Sequence, residues 1–270
     1  MDFSCEVFLA LLTFVCLTIG MIQDIRTRYT SNKLWLTQGG LGFITILVCG
    51  LLNPYEPLEL IGIFLNIGFA LFFGFLFFYV GAWGAGDSKA LFALGFSTPV
   101  VFSFIPMAIP PEMGLVPLFL IILNFIVAIV IILFVVVSIN LFNLRKFGNW
   151  FKETSGSFFH KAILIMTAFQ VPPASIKDES FLDPVESYET GWKIQYSFFG
   201  DYDEDDEVLE ARERELRQTI KTKAIETGRS YIWVRPQIPG LVLFWLAYVI
   251  WLIYGSIGLP LLKSLILLIS

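Results

Sequence analysis

Charge is scarce in this chain. Of its 270 residues only 15% are Asp, Glu, Lys or Arg, whereas 56% are hydrophobic and 16% aromatic. Soluble domains carry about a quarter charged residues, and mean hydropathy here is +0.75. The shortage excludes a disordered chain, a nucleic-acid-binding protein and an ordinary cytosolic globule. Histidine is almost missing. His160 is the single one, and with no partner motif it reads as an ordinary polar position. The three cysteines, Cys5, Cys16 and Cys49, each lie in an apolar stretch and form no CxxC pair. That excludes a zinc ribbon and gives a disulfide framework no support. The N-terminus has Asp2 and Glu6 but no basic n-region, so its first apolar run is expected to be a retained span. No internal repeat is visible. What remains is an all-α polytopic membrane protein.

A hydrocarbon core of about 30 Å needs roughly 20 apolar residues per helix. Six stretches approach that length: about 7–23, 34–52, 58–80, 90–109, 115–142 and 238–254. Pro99 and Pro106 are expected to kink or shorten the fourth. A last apolar run, 257–270, contains Lys263 and follows Gly255, Gly258 and Pro260. It is short for a span and reads as an interfacial or re-entrant segment. Residues 145–237 differ in kind. They hold 13 of the 18 Lys and Arg and 16 of the 23 Asp and Glu, as a water-facing domain would. Within it, 158–170 is expected to be an amphipathic helix against the membrane or a small core. Residues 201–207 form an acidic run. Residues 208–225 read as a charged helix with Val208, Leu209, Leu216, Ile220 and Ile225 as its apolar positions. The expected domains are 1–144 (five spans), 145–237 (cytoplasmic) and 238–270 (sixth span and terminal segment).

The basic residues set the orientation. With the N-terminus outside, Arg26, Arg28 and Lys33 fall in the first inside loop, Lys89 in the second and 13 more in the large domain. The outside segments carry Asp2, Glu6, Glu56, Glu59 and Glu112 and no Lys or Arg. By the positive-inside rule the two short inside loops score four against zero.

Once the outside acids and the soluble domain are set aside, two carboxylates remain, Asp24 and Asp87. Asp24 closes the first span (GMIQDIRTR) and Asp87 opens the fourth (WGAGDSKALF), so both fall at the cytoplasmic boundary although 63 residues separate them. Ionisable groups at that depth point to function. Two carboxylates brought close share one proton, and the pair can then act as general base on a water and general acid toward a carbonyl oxygen. Helix-end dipoles favour the anion on Asp87, which begins a helix, over Asp24, which ends one. Plainer roles stand beside this one. Asp24 would pair with Arg26 or Arg28 at an interface, Asp87 would cap a helix, and Lys89 would snorkel to the surface. Gly81, Gly84 and Gly86 precede Asp87 and would permit unusual backbone angles or the close approach of another chain, or simply form a turn.

Asp24 in QDIRTR followed by Gly84, Gly86, Asp87 and Lys89 in GAGDSK resembles the GxGD membrane aspartyl proteases. It is closest to the prepilin peptidase branch with its GxGDxK motif. Within that branch the archaeal preflagellin (archaellin) peptidases are similar in order of spans and in having a cytoplasmic domain before the last span. Ile232 to Pro239 (IWVRPQIP) looks like their membrane re-entry. The resemblance implies an aspartic endopeptidase that cleaves class III signal peptides from archaellin or pilin-like precursors, each a short basic leader followed by a hydrophobic helix. It implies Asp24 and Asp87 as the catalytic pair, Gly84, Gly86 and Lys89 as supporting motif residues, and no metal or organic cofactor. The paired cysteines of the zinc-binding insert common in bacterial prepilin peptidases are missing, so their N-methylation does not carry over. The implied partners are the precursors and the lipid bilayer, with no nucleic acid. The acidic run 201–207 would attract a basic leader or serve only as a solvated linker. Trp233, Trp245, Tyr248 and Trp251 read as interface anchors and packing. Two other functions fit the residues: a proton-coupled carrier titrating the two acids, and a non-enzymatic filament-assembly protein.

Overall fold

The structure is a computed structural model. It describes residues 1–80, 83–105, 116–147, 151, 157–176, 182–188, 191–194, 206–237, 239–258, 260, 261 and 264, with the side chains of 144–147 and 206–213 excepted. The fold is mostly helical. By internal packing the residues fall into two units, Met1–Ile129 with Pro239–Ser270, and Val130–Ile238.

The first unit contains helices α1 (Phe3–Thr27), α2 (Asn32–Leu52), α3 (Pro57–Tyr79), α4 (Ala85–Ser97), the start of α5 (Pro117–Phe147) and α8 (Gly240–Tyr254). Among the described residues four helices, α1, α2, α3 and α5 over Pro117–Asn143, are long and apolar enough to cross a membrane. Large apolar side chains point outward from them, among them Leu51, Phe64, Phe72 and Phe134. In water such faces would aggregate; in lipid they meet their own kind. The chain is a multi-pass membrane protein.

The six expected spans are not all matched by helices of spanning length. With 13 and 15 residues, α4 and α8 reach only about 20 and 22 Å at 1.5 Å per residue. The cause at α4 is local. Thr98 precedes Pro99, a position biased away from the helical region, and Thr98 leaves it at φ −128°. Residues 98–105 continue without helix, and 106–109 lie outside the described residues. The carbonyls freed there are caught by side chains. Asn66 Nδ2 donates to the carbonyls of Gly95 and Thr98, both at 3.0 Å, while its Oδ1 accepts the Leu118 N–H at 3.0 Å. Gln38 Nε2 donates to Ser97 Oγ at 2.8 Å. An amide buried in a helix packing surface in this way satisfies backbone that lipid cannot. Small residues let α4 sit close between α2 and α3: Gly42 faces Phe96, Gly74 faces Phe92, and Gly95 meets Ala70.

Two expectations about the far end of the bundle need correction. Cys5 and Cys49 form a disulfide with Cα atoms 6.7 Å apart, because α1 and α2 run antiparallel and bring residue 5 beside residue 49; sequence spacing alone hides that pairing. Cys16 is free and buried. Glu6, expected in an outside segment, does not face solvent. It is buried in α1, and its Oε2 accepts the Ser103 N–H at 2.7 Å and the Ser103 hydroxyl at 2.6 Å. Along α8, Trp245 Nε1 donates to Thr18 Oγ1 at 2.9 Å and the Tyr248 hydroxyl to the Ala10 carbonyl at 3.1 Å. Tyr248 and Trp251 are fully buried, so they pack rather than anchor at an interface. The terminal run 257–270 lies largely outside the described residues.

The second unit holds the rest of α5, then α6 (Phe158–Thr167), β1 (Phe169–Val171), β2 (Leu182–Pro184), β3 (Glu186–Tyr188), β4 (Trp192–Ile194), α7 (Asp206–Glu226) and β5 (Ile232–Pro236). An antiparallel sheet in the order β1-β5-β2 pairs Phe169 with Val234 and Leu182 with Pro236, and β3 and β4 form a separate pair. The helix expected over 158–170 stops at Thr167, because Phe169 to Val171 join this sheet. Ile232 to Pro236, expected to re-enter the membrane, is its central strand; Ile232, Trp233 and Val234 are buried in the small core. Helix α7 packs through Ile220 and Ala224, while Leu216 and Ile225, expected on its apolar side, are exposed. Trp233 stacks on Phe151. A buried ion pair, Arg229 to Glu186 at 2.7 Å, is completed by the Trp233 N–H donating to Glu186 at 2.9 Å. His160 sits at the start of α6, where Ser157 caps the helix by accepting its N–H at 3.3 Å.

Candidate active site

Asp24 lies in the last turn of α1, and Arg28 ends that helix in the left-handed conformation at φ 57°. The reversal turns the chain back into α2, leaving the Asp24 side chain half-buried at the helix end, with the Arg28 charge acting on it. Asp87 lies in the first turn of α4. Gly84 is the N-cap, so Asp87 is the third helical residue rather than the cap itself. From there its carboxylate reaches back to accept the Gly84 backbone N–H, half of a capping box. Gly84 has ordinary extended angles, φ −68° and ψ 163°, and a Cβ there would meet nothing within 4 Å. Its expected conformational freedom is therefore not used. Gly86 answers to close approach instead: a Cβ would lie 2.8 Å from Thr30 Oγ1. Gly81 lies outside the described residues.

Both acids meet the start of α8. The Leu241 N–H donates to Asp24 Oδ2 at 3.2 Å. A Cβ built on Gly240 would stand 2.5 Å from both Asp87 carboxylate oxygens. The Asp24 charge is also among the influences acting on Asp87. Two carboxylates remote in sequence thus face two consecutive residues at one helix N-terminus, where unpaired N–H groups and the helix dipole favour negative charge. Lys89 stands apart from this cluster. Its Nζ donates to Asn32 Oδ1 at 2.8 Å, and Lys89 is half-buried.

Gly240 and Leu241 were not among the residues the sequence singled out. The available signal was Pro239–Gly240 at the head of an apolar run, a helix start in which the first residue has no side chain. Among the described residues, no three His, Cys, Asp or Glu side chains are placed to hold a metal ion. Chemically, the arrangement offers two interacting acids, a backbone donor and a gap where a side chain is missing.

A multi-pass membrane protein with two acids converging on one helix start has the framework of a membrane aspartic peptidase. Residues 11–139 match the model of the type IV leader peptidase family, and residues 160–257 match the model described as Archaeal Peptidase A24 C-terminus Type II. The chain belongs to the type IV leader peptidase family and is an aspartic-type endopeptidase. Neither curated proteins nor solved structures gave a match.

Proposed function

We propose that the protein cleaves the leader peptides of archaellin or pilin-like precursors at the cytoplasmic membrane face, with Asp24 and Asp87 as the catalytic pair. The observation that carries this reading is the shared contact of both carboxylates with Gly240 and Leu241. One carboxylate takes a proton from water as the oxygen attacks the scissile carbonyl, and the other gives its proton to the carbonyl oxygen. Collapse of the tetrahedral diol then expels the amine, which receives a proton from the dyad. The dipole argument that favours Asp87 as base loses its force, because α8 brings a helix start to Asp24 as well. The proton therefore belongs to the pair rather than to one residue.

In this reading α4 and α8 enter the bilayer as short helices and complete six membrane segments. The N-terminus lies outside, and residues 145–237 lie in the cytoplasm. The basic residues of the two short loops support that orientation, and so does the Cys5–Cys49 disulfide, which belongs in an oxidising compartment and sits at the end of α1 opposite Asp24.

The test uses a precursor with a basic leader and a hydrophobic helix. Wild type is expected to release the leader, and Asp24→Asn and Asp87→Asn each to lose the activity while folding normally. Cleavage that persists in either variant, or never occurs with wild type, overturns the proposal. Cysteines placed at 24 and 87 are expected to cross-link.

A further inference from the structure

Where the chain enters α2, residues 30 to 32 touch in turn the neighbours of both acids. The Ser31 N–H donates to Gln23 Oε1 at 3.2 Å, and Gln23 precedes Asp24 on α1. On either side of Ser31 the contacts go to α4. Asn32 Oδ1 accepts from Lys89 Nζ at 2.8 Å, and Thr30 Oγ1 lies 2.8 Å from where a Cβ would stand on Gly86. The alternation has a backbone cause. Ser31 is extended, at φ −65° and ψ 127°, so the side chains of Thr30 and Asn32 leave the chain on one side. This short segment therefore splints the residue before Asp24 to two residues that flank Asp87.

Thr30 is the buried member of the splint, and Asn32 the exposed one. Its hydroxyl is held from behind: Trp35 Nε1 donates to Thr30 Oγ1 at 3.3 Å. Trp35 is itself buried, and its ring lies 2.6 Å from where a Cβ would stand on Gly20, one turn before Asp24 on α1. A β-branched side chain is stiff at χ1, so the bond to the indole fixes where the Thr30 hydroxyl stands. Gly86 answers that hydroxyl by having no side chain, which lets the first turn of α4 close on it.

We infer that Thr30 is a positioning residue of the peptidase: it sets the spacing between Asp24 and Asp87 by bearing on Gly86 while Ser31 holds Gln23. The inference rests on the proposed catalytic pair. It assigns a reason to the glycine before Asp87, which is room for one hydroxyl rather than backbone freedom. Thr30 itself touches neither carboxylate in this role; it acts through the residues next to them.

The first arm of the test measures precursor cleavage and thermal unfolding in the same detergent. Thr30→Ala is expected to lower kcat by about tenfold or more, the scale of a sub-ångström misplacement at a reacting group, with KM within about twofold. Thr30→Ser keeps the hydroxyl and is expected to stay within about threefold of wild type. Thr45→Ala removes a hydroxyl that bonds the Leu41 carbonyl within α2, and should leave kcat unchanged. Gly86→Ala is expected to lose activity against the Thr30 hydroxyl. Thr30→Ala/Gly86→Ala should recover at least about threefold of that loss, because the new methyl takes the vacated place, whereas Thr30→Ser/Gly86→Ala should not. The second arm needs no cleavage. Cross-linking of Asp24→Cys/Asp87→Cys is expected to slow at least about threefold when Thr30→Ala is added, and to keep its rate with Thr45→Ala. Full activity in Thr30→Ala, an equal loss in Thr30→Ser, a loss carried by KM or by melting temperature, no recovery in the double variant, or undiminished cross-linking overturns the inference. Failure of wild type to cleave the precursor refutes the leader peptidase reading instead, and the cross-linking rate then decides the role of Thr30.

Discussion

Gly240→Ala separates the catalytic use of α8 from its structural use. The new methyl would stand 2.5 Å from both oxygens of Asp87 and 2.7 Å from its Cγ, whereas ordinary contact begins at 3.4 Å. One of the two groups has to retreat by about 1 Å, and a misplacement of that size at a reacting group costs on the order of 100-fold in rate. The folding cost is smaller. Overpacking costs about 1–3 kcal/mol, and Ala is better than Gly in a helix by up to about 1 kcal/mol, less at a first position. The net loss of stability is therefore expected at about 0–3 kcal/mol, while activity nearly disappears.

The assay pairs initial cleavage rates of a full precursor with thermal unfolding in the same detergent. kcat is expected to fall about 100-fold with KM little changed, because the methyl meets the carboxylate of Asp87. Gly62→Ala and Gly68→Ala serve as controls, since a Cβ at either position on α3 meets nothing within 4 Å; both are expected to match or slightly exceed wild type in stability and to keep full activity. A Gly240→Ala enzyme within threefold of wild type would refute the placement of Asp87 against α8. So would a variant whose activity falls only in step with its melting temperature.

Three more outcomes follow from the same contacts. Asp24→Asn and Asp87→Asn are each expected to lower kcat by about 100-fold to 10,000-fold, the range for a lost general acid or base, and wild-type kcat should trace a bell against pH with both limbs set by the pair; a single-limbed profile would contradict a shared proton. Arg229→Ala removes the positive charge paired with the buried Glu186, which is expected to destabilise the small domain by about 3–5 kcal/mol, read as loss of protease resistance in 145–237 while Arg229→Ala/Glu186→Gln recovers part of it. Reduction of Cys5–Cys49 is expected to expose thiols to a membrane-impermeant maleimide added from the outside, and to lower stability by at most about 4 kcal/mol for a 44-residue separation; labelling only from the cytoplasmic side would reverse the proposed orientation.

How far the chain is legible without its structure depends on what each residue's position records. The long apolar runs that become α1, α2, α3 and α5 announce themselves because lipid demands length and hydropathy together. The two acids stand out for the complementary reason: charge at a membrane boundary needs a use. Position-specific features were harder. Ile232 to Val234 are as apolar as a membrane segment, and only pairing with Phe169 to Val171 and with Pro184 makes them a strand. Cys5 and Cys49 meet through the antiparallel packing of two helices, which no spacing rule encodes. Glu6 looks like a surface acid until Ser103 is folded against it.

The same distinction explains why the candidate site was half visible. Asp24 and Asp87 carry charge, and charge is conspicuous in a chain this poor in it. Gly240 acts by having no side chain and Leu241 through its backbone N–H; neither is a departure from composition that the sequence displays. Within the first unit, α1 and α4 bring one acid each, but α8 supplies the surface on which both are held. In the proposed reading α8 is therefore as much a part of the dyad as the helices that bear it. An enzyme truncated before Pro239 should retain both aspartates and lose the activity even where its remaining helices insert.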